Sequence, residues 1–483
     1  MNRLHDGARQ TMAWLHGWTG LLLGHVLYLM AFAGTLSMFK PEISRWMRPE
    51  NTAQVDAVRA ITVATDWLSH NAADAPAWYL TAPDARANTI DAYFMQGGKI
   101  VLRALDPTTG APVVRETLGG EFFYRLHFEL ELPYPWGRML ASLAAATMLI
   151  ALISGIVAHR RFFRDFFTFR ADKGQRSWLD AHNVLGVFAL PFNLMITLTG
   201  TLTLLSLSMP WPGVSGYGAD MPAMFRELAP GGVDRPAAGR HARLGSVADM
   251  MRDAQVRCGG AVGRVTIVNP GDAAAVASFT CADAAQIATN AGVASYNAVN
   301  GRLLNAWIEH RPAVTAYSWL YGLHVARFAP LPLRWLYFLG GAMLTLAIAT
   351  GLILWTVKRR DRLPDHANRL LARINAGVIV GVPAGALALL WANRLLPLGS
   401  GGRAGAEVTA ALATAVIVLV VTSALPERLR WPLPFAGLAT GLIVLPFLGG
   451  WIGDGDAVLV AGNLLLLAAG ALCAWLAWRS ARC

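Results

Sequence analysis

The sequence predicts a membrane α-helical protein with about eight transmembrane helices and two small α+β domains outside the membrane. Of its 483 residues, 55% are hydrophobic and only 15% are charged, whereas soluble globular chains carry about 25% charged residues. Apolar stretches long enough to cross a bilayer recur along the chain, and the two longest intervals between them are each large enough for a domain. Together these observations exclude a soluble enzyme and a disordered chain.

Eight stretches approach the roughly 20 apolar residues that a membrane-spanning helix requires. They are residues 13–39, 137–158, 183–209, 333–357, 376–395, 408–425, 434–451 and 458–478. Basic residues follow the second, fourth, sixth and eighth stretch, including the doublets Arg160-Arg161 and Arg359-Arg360. Because basic loops stay in the cytoplasm, the net charge of +11 indicates topology rather than a nucleic-acid partner. We expect a multi-pass protein of a bacterial inner membrane, in contact with its lipid, with both termini in the cytoplasm.

The predicted domain organisation follows from these spans. In chain order it comprises residues 1–39 as cytoplasmic N-terminus and first helix, 40–136 as a first periplasmic domain, 137–209 as second helix, basic loop and third helix, 210–332 as a second periplasmic domain, 333–357 as fourth helix, and 358–483 as a cytoplasmic loop and four-helix extension. The extension contains almost no ionisable residues within its spans, so we expect its helices to serve packing.

Each predicted periplasmic domain contains alternating segments separated by turn residues. The first has strands at 92–95 and 99–102 and a turn at Asp106–Gly110; the second has a helix at 246–257, strands at 265–268 and 275–280, and a turn at Asn297–Gly301. Cys258 and Cys281 both lie in the second domain on the oxidising side, where they are either bonded or two free thiols.

The chain contains an internal duplication. Span one opens with His16 and span three with His182, each followed by glycine four residues later. Spans two and four are each preceded by Leu-His, at His127 and His324, and end in the basic doublets. The unit of helix, outer domain, Leu-His and helix therefore occurs twice within the first 360 residues, as parallel repeats about an axis along the membrane normal.

A pseudo-two-fold axis places matched histidines opposite one another. His16 and His182 are predicted to face each other at the cytoplasmic end, and His127 and His324 near the outer surface. Paired neutral imidazoles on facing helices are the arrangement that ligates haem iron in a bundle, and Gly20 and Gly186 would leave room for a flat macrocycle. The alternative for each histidine is a hydrogen bond to a carbonyl in an ordinary interfacial position.

Two further histidines offer alternative ligands. His25 lies nine residues beyond His16, and its repeat counterpart is Pro191; His159 ends span two, and its counterpart is Trp355. Either could replace a member of the cytoplasmic pair. The two predicted layers of histidines are well separated, because 18 residues of continuous helix between them would cover roughly 27 Å.

These motifs resemble the PepSY-associated transmembrane proteins, which include PiuB-like iron-regulated membrane proteins and FoxB-type siderophore reductases. The resemblance rests on His-x-x-x-Gly, Thr199-Gly200, Thr350-Gly351, Leu-His before spans two and four, and the duplicated outer domains. It covers about residues 10–360. It implies a protein with two b-type haems on His16, His182, His127 and His324, which passes electrons outward to a periplasmic ferric siderophore or similar small iron complex.

The resulting function prediction is a haem-dependent transmembrane oxidoreductase of iron uptake. In the absence of a nucleotide-binding motif, a quinol or a separate cytoplasmic reductase would donate the electrons. Two alternatives belong to other classes: a permease or accessory subunit of iron-complex uptake, which intramembrane carboxylates and broken helices would favour, and a PepSY-type regulatory or peptidase-inhibitor protein without cofactor.

Overall fold

The computed structural model describes residues 7–51, 53–159, 170, 173–204, 209–218, 220, 223–224, 227, 231–233, 235–282, 286–289, 292–360, 364–449 and 456–482. The doublet Arg160-Arg161, predicted to end the second span, lies outside these residues. The chain forms two compact units. The helical unit comprises Met1–Met47, Thr117–Ser208 and Pro330–Cys483, and the sheet unit comprises Arg48–Glu116 and Met209–Ala329.

The helical unit contains the membrane spans. Its helices are α1 (Ala8–Leu22), α2 (Gly24–Ser37), α3 (Lys40–Trp46), α5 (Glu121–Phe128), α6 (Trp136–Ala158), α7 (Gln175–Phe188), α8 (Leu190–Thr203), α12 (Leu331–Lys358), α13 (Asp365–Leu395), α14 (Arg403–Ala424), α15 (Pro432–Val444) and α16 (Ala457–Ser480). Within the described residues, six helical stretches are long and apolar enough to span a membrane, or eight if each of two bent pairs counts as one span. A multi-pass membrane protein is therefore confirmed.

The two bent pairs occupy equivalent positions in the duplication. Helices α1 and α2 meet at 69°, and α7 and α8 also meet at 69°. The first break falls at Leu23 and the second at Ala189, which the histidine alignment matches. The length of roughly 27 Å between the two layers assumed 18 residues of continuous helix, and the bends interrupt that helix in both copies. In the second copy Pro191, in the first turn of α8, lacks the N–H that would continue α7.

The sheet unit contains helices α4 (Ala57–Asn71), α9 (Trp211–Tyr217), α10 (Val247–Cys258) and α11 (Pro312–Val325). Its strands are β1 (Ala77–Thr81), β2 (Ile90–Gln96), β3 (Lys99–Leu105), β4 (Val262–Val268), β5 (Val276–Cys281), β6 (Val293–Asn297) and β7 (Leu303–Trp307). They form one antiparallel sheet in the order β3-β2-β1-β4-β5-β6-β7. Buried side chains of α4 and α10 pack with its apolar face in a single core.

The sequence analysis separated two outer domains, whereas the structure joins them through β1 and β4. Residues Ala77–Thr81 pair with Arg264–Val268 over five positions. An unpaired edge strand exposes backbone donors and acceptors, and pairing the two copies at these strands satisfies both edges. The segment that carries His127, placed in the first outer domain by the sequence, forms α5 and belongs to the helical unit.

The turns that indicated the duplication have matching geometry. The Asp106 carboxylate accepts hydrogen bonds from the backbone of Thr108 and Thr109, and the Asn297 side chain accepts them from the backbone of Val299 and Asn300. Both turns close on a glycine with positive φ, Gly110 at 74° and Gly301 at 72°. Such Asx turns followed by a left-handed residue are a local property, which is why the sequence reveals them.

Cys258, at the end of α10, and Cys281, at the end of β5, are bonded, with their Cα atoms 5.5 Å apart. The sequence left this pair open between a disulfide and two thiols. The bond links the C-terminus of α10 to the sheet that the helix covers.

Candidate functional site

His16 and His182 come together in the helical unit, as the duplication predicts. Their ring centroids are 5.9 Å apart with the planes at 57°. The first lies on α1, which packs against α6, and the second on α7, which packs against α12. The pair therefore forms where the two copies of the duplicated unit meet.

Each ring of the pair is held through the same nitrogen. His16 Nδ1 lies 2.7 Å from the Ala151 carbonyl oxygen, and His182 Nδ1 lies 2.8 Å from that of Ala347. A carbonyl oxygen only accepts, so Nδ1 carries the hydrogen in both rings. In the neutral imidazole Nε2 then retains its lone pair, the tautomer in which metal-ligating histidines are held.

A glycine packs against each ring one helical turn beyond the carbonyl. A Cβ built on Gly155 would lie 3.1 Å from His16 ring atoms, and one built on Gly351 would lie 3.0 Å from those of His182. On α6, and again on α12, a histidine ring thus packs against a backbone carbonyl and the glycine four residues later. The glycines predicted to sit beside the macrocycle differ: within the described part of the chain, a Cβ on Gly20 or Gly186 meets nothing within 4 Å.

His127 on α5 also packs against a backbone carbonyl and a glycine four residues later. Its Nδ1 lies 2.8 Å from the Met30 carbonyl oxygen, and a Cβ on Gly34 would come within 2.7 Å of the ring. Desolvation by burial lowers the pKa of His127 below its usual value, against the raising effect of the hydrogen bond to Met30. A lowered pKa keeps the imidazole neutral near pH 7, the form that ligates a metal. His324 lies on α11 of the sheet unit, and its pairing with His127 stays a prediction.

His25 and His159 have other surroundings. His25 Nε2 lies 2.8 Å from the Asn375 side-chain oxygen, and the Asn375 amide nitrogen donates to the Leu352 carbonyl oxygen at 2.9 Å. The sequence did not identify Asn375, because an asparagine inside an apolar span carries no motif. His159 caps α6, with its backbone N–H bonded to the Gly155 carbonyl oxygen at 3.0 Å.

A second buried polar cluster, which the sequence analysis missed, lies in the C-terminal extension. Arg403 and Glu407 on α14 form an ion pair with both side chains fully buried. The Glu407 carboxylate also accepts hydrogen bonds from Asn393 and Thr117. The expectation that these helices contain almost no ionisable groups within the membrane is therefore incomplete, because the span on α14 begins at Arg403 rather than at residue 408.

The arrangement at His16 and His182 fits one metal ion between two neutral imidazoles. Metal–imidazole nitrogen distances of about 2.0–2.1 Å place two opposed ring centroids roughly 6 Å apart, close to the observed 5.9 Å. Among the described residues nothing lies within 4 Å of a Cβ on Gly20 or Gly186, which is consistent with the space that a macrocycle beside these glycines would require.

Comparison with known proteins agrees with the extent of the duplication. Residues 13–358 match the family described as the PepSY-associated TM region. The chain is also similar to an uncharacterized protein of Pseudomonas aeruginosa, with 29% identity over 387 residues that cover 75% of this chain and 95% of the relative.

Proposed function

Since this chain belongs to the PepSY-associated transmembrane family, we propose that it is an inner-membrane b-type di-haem electron-transfer protein that reduces a periplasmic iron complex of the ferric-siderophore type. The observation that carries the proposal is the pair His16–His182, with its 5.9 Å ring separation and both Nδ1 atoms bonded to backbone carbonyls. The match to the family supports a membrane protein of this kind. The class of substrate is inferred from the resemblance of the motifs.

In this proposal His16 and His182 hold the iron of the inner haem through Nε2. When bound, the haem supplies one-electron redox chemistry. The Ala151 and Ala347 carbonyls orient the rings and fix the tautomer, while Gly155 and Gly351 allow them to pack closely against α6 and α12. The neutral imidazoles add no charge in a low-dielectric site, where an extra charge is costly.

The outer haem would use His127, with His324 as its second ligand as the repeat predicts. The hydrogen bond of His127 Nδ1 to Met30 supports this role because it leaves Nε2 as the nitrogen with the lone pair. Two haems, one in each layer, would give a path for electrons from a quinol or a cytoplasmic reductase to the outer side. The disulfide Cys258–Cys281 supports an oxidising compartment for the sheet unit.

The test is the haem content of the protein purified in detergent. We expect a b-type absorbance spectrum and about two haems per chain in a pyridine haemochrome assay. A homogeneous, folded preparation from haem-replete cells without haem bands would overturn the proposal.

One observation favours a second candidate, a permease of iron complexes. The 69° breaks in two equivalent spans are the kind of discontinuity found at transporter substrate sites. At both breaks the backbone N–H is satisfied within the chain: Leu23 donates to the Thr19 carbonyl oxygen, and Ala189 donates to the Leu185 carbonyl oxygen. A permease predicts that proteoliposomes accumulate the iron complex in its ferric form, whereas the proposed reductase predicts ferrous iron outside and no accumulation.

A further inference from the structure

Trp355 carries a buried donor that has no acceptor among the described residues. The side chain is 6% exposed, and its indole Nε1 has no hydrogen-bond partner among the described residues. A buried polar group left unpaired destabilises the fold, so this N–H calls for an explanation.

The position of Trp355 relates it to the inner histidine pair. It lies on α12 one turn beyond Gly351, which contacts the His182 ring, and two turns beyond Ala347, which accepts from it. Residues four apart share one face of a helix. The indole Nε1 and Cδ1 lie 3.8 and 3.9 Å from the point that a Cβ on Gly17 would occupy, so this edge of the Trp355 ring lies beside the residue that follows His16.

Arg359 brings a positive charge to the same place. Its guanidinium carbon lies 4.1 Å from the centre of the Trp355 ring, and its Nη2 lies 3.4 Å from the same Cβ point on Gly17. An indole N–H donor and a guanidinium that lie side by side can bind an anionic oxygen through charge-assisted hydrogen bonds.

We propose that Trp355 and Arg359 bind a carboxylate of the inner haem. This inference rests on the proposed function, since haem b presents two propionate carboxylates on one edge of its ring. Trp355 donates its indole N–H to the carboxylate, and Arg359, stacked on the indole, neutralises its charge. The carboxylate thereby lies at the same end of the pair as the basic residues that flank the membrane, where a charge costs less than at the bilayer centre.

The repeat explains why the sequence did not reveal this site. The counterpart of Trp355 is His159, so the tryptophan has no matching tryptophan in the other copy. Its indole N–H becomes informative only through the structure, in which no described neighbour accepts from it.

The test compares Trp355→Phe and Arg359→Gln with matched variants of another Trp–Arg pair at i and i+4. Arg482 lies 3.9 Å from the Trp478 ring at the end of α16, where Trp478 is exposed, so Trp478→Phe and Arg482→Gln serve as controls. The readouts are the rate at which purified haem-loaded protein loses haem to excess apomyoglobin, and the midpoint potential of each haem.

We expect Trp355→Phe and Arg359→Gln each to accelerate the loss of one haem about tenfold, the effect of a hydrogen bond to a charged group. Arg359→Gln should also lower the midpoint potential of that haem, because the lost positive charge favoured the reduced iron, and Arg359→Lys should restore it. The control variants should match the wild type.

Wild-type loss rates and potentials in the Trp355 and Arg359 variants would overturn the inference. If the wild-type protein contains no haem, the proposed function itself fails, which is a separate outcome.

Discussion

The helical unit contains two polar clusters, and they differ in whether a side-chain atom remains available to a ligand. In the pair His16–His182 each ring uses one nitrogen for a backbone carbonyl and keeps a lone pair on the other. In the extension, both oxygens of the Glu407 carboxylate accept hydrogen bonds from the chain itself, from Arg403, Asn393 and Thr117. A nitrogen lone pair that no side chain or backbone group uses is available to a ligand, whereas a carboxylate whose two oxygens are both satisfied within the chain serves to hold helices together.

The same contrast applies to the glycines of the two copies. Gly155 and Gly351 contact the histidine rings, while Gly20 and Gly186 border open space. Gly155 and Gly351 allow the histidine rings to pack closely against the helices. Gly20 and Gly186 are the positions beside which the proposal requires the haem.

The largest effect is therefore expected from filling that space. Gly186→Leu places a side chain in this space, where a Cβ meets no atom of the described residues within 4 Å. It should leave the protein folded and remove the inner haem, about half of the total, as measured by haemochrome assay per mole of monodisperse protein.

A matched control at another open glycine makes this result specific. A Cβ on Gly437 in α15 also meets nothing within 4 Å, so Gly437→Leu should retain all the haem. Full haem content in Gly186→Leu would show that the space beside this glycine is not the place of the macrocycle.

A smaller effect, on stability alone, is expected in the second cluster. Glu407→Leu leaves the buried Arg403 guanidinium without its counter-ion, which costs about 3–5 kcal/mol. The double variant Arg403→Met with Glu407→Leu removes both charges and should recover most of the loss, since apolar replacement of a buried ion pair is often neutral. Thermal denaturation in detergent measures both.

The inner haem should remain in both variants of this cluster. Equal losses of stability in the single and double variants would contradict the ion-pair account. Loss of the inner haem in Glu407→Leu, with the fold intact, would break the division between a ligand cluster and a structural one.

The sequence predicted the features that depend on local pattern or on repetition. The duplication identified the pair His16–His182 and the turns at Gly110 and Gly301, and the local pattern indicated a helix at 246–257, which the structure has as Val247–Cys258. Matched motifs, turn chemistry and helix signals lie within a few residues of each other. The sequence also identified His127 as a residue of interest, although it placed the surrounding segment in the wrong unit.

The remaining features depend on contacts between distant residues. The pairing of β1 with β4 joins Ala77 to Val268, and a strand carries no local signal for its partner in so distant a segment. The bend at Leu23 interrupts a stretch whose hydropathy is continuous. Trp355 and Asn375 became notable only through what their polar atoms contact or lack.

The most direct test of the central claim is the haem-to-protein ratio of His182→Ala, measured beside His25→Ala. The account predicts that His182→Ala loses about half of the haem because the inner iron loses a ligand. His25 Nε2 is hydrogen-bonded to Asn375, so His25→Ala should retain all of the haem. Full haem in a folded His182→Ala protein, or loss of haem in His25→Ala, would contradict the assignment of His16 and His182 as the inner pair.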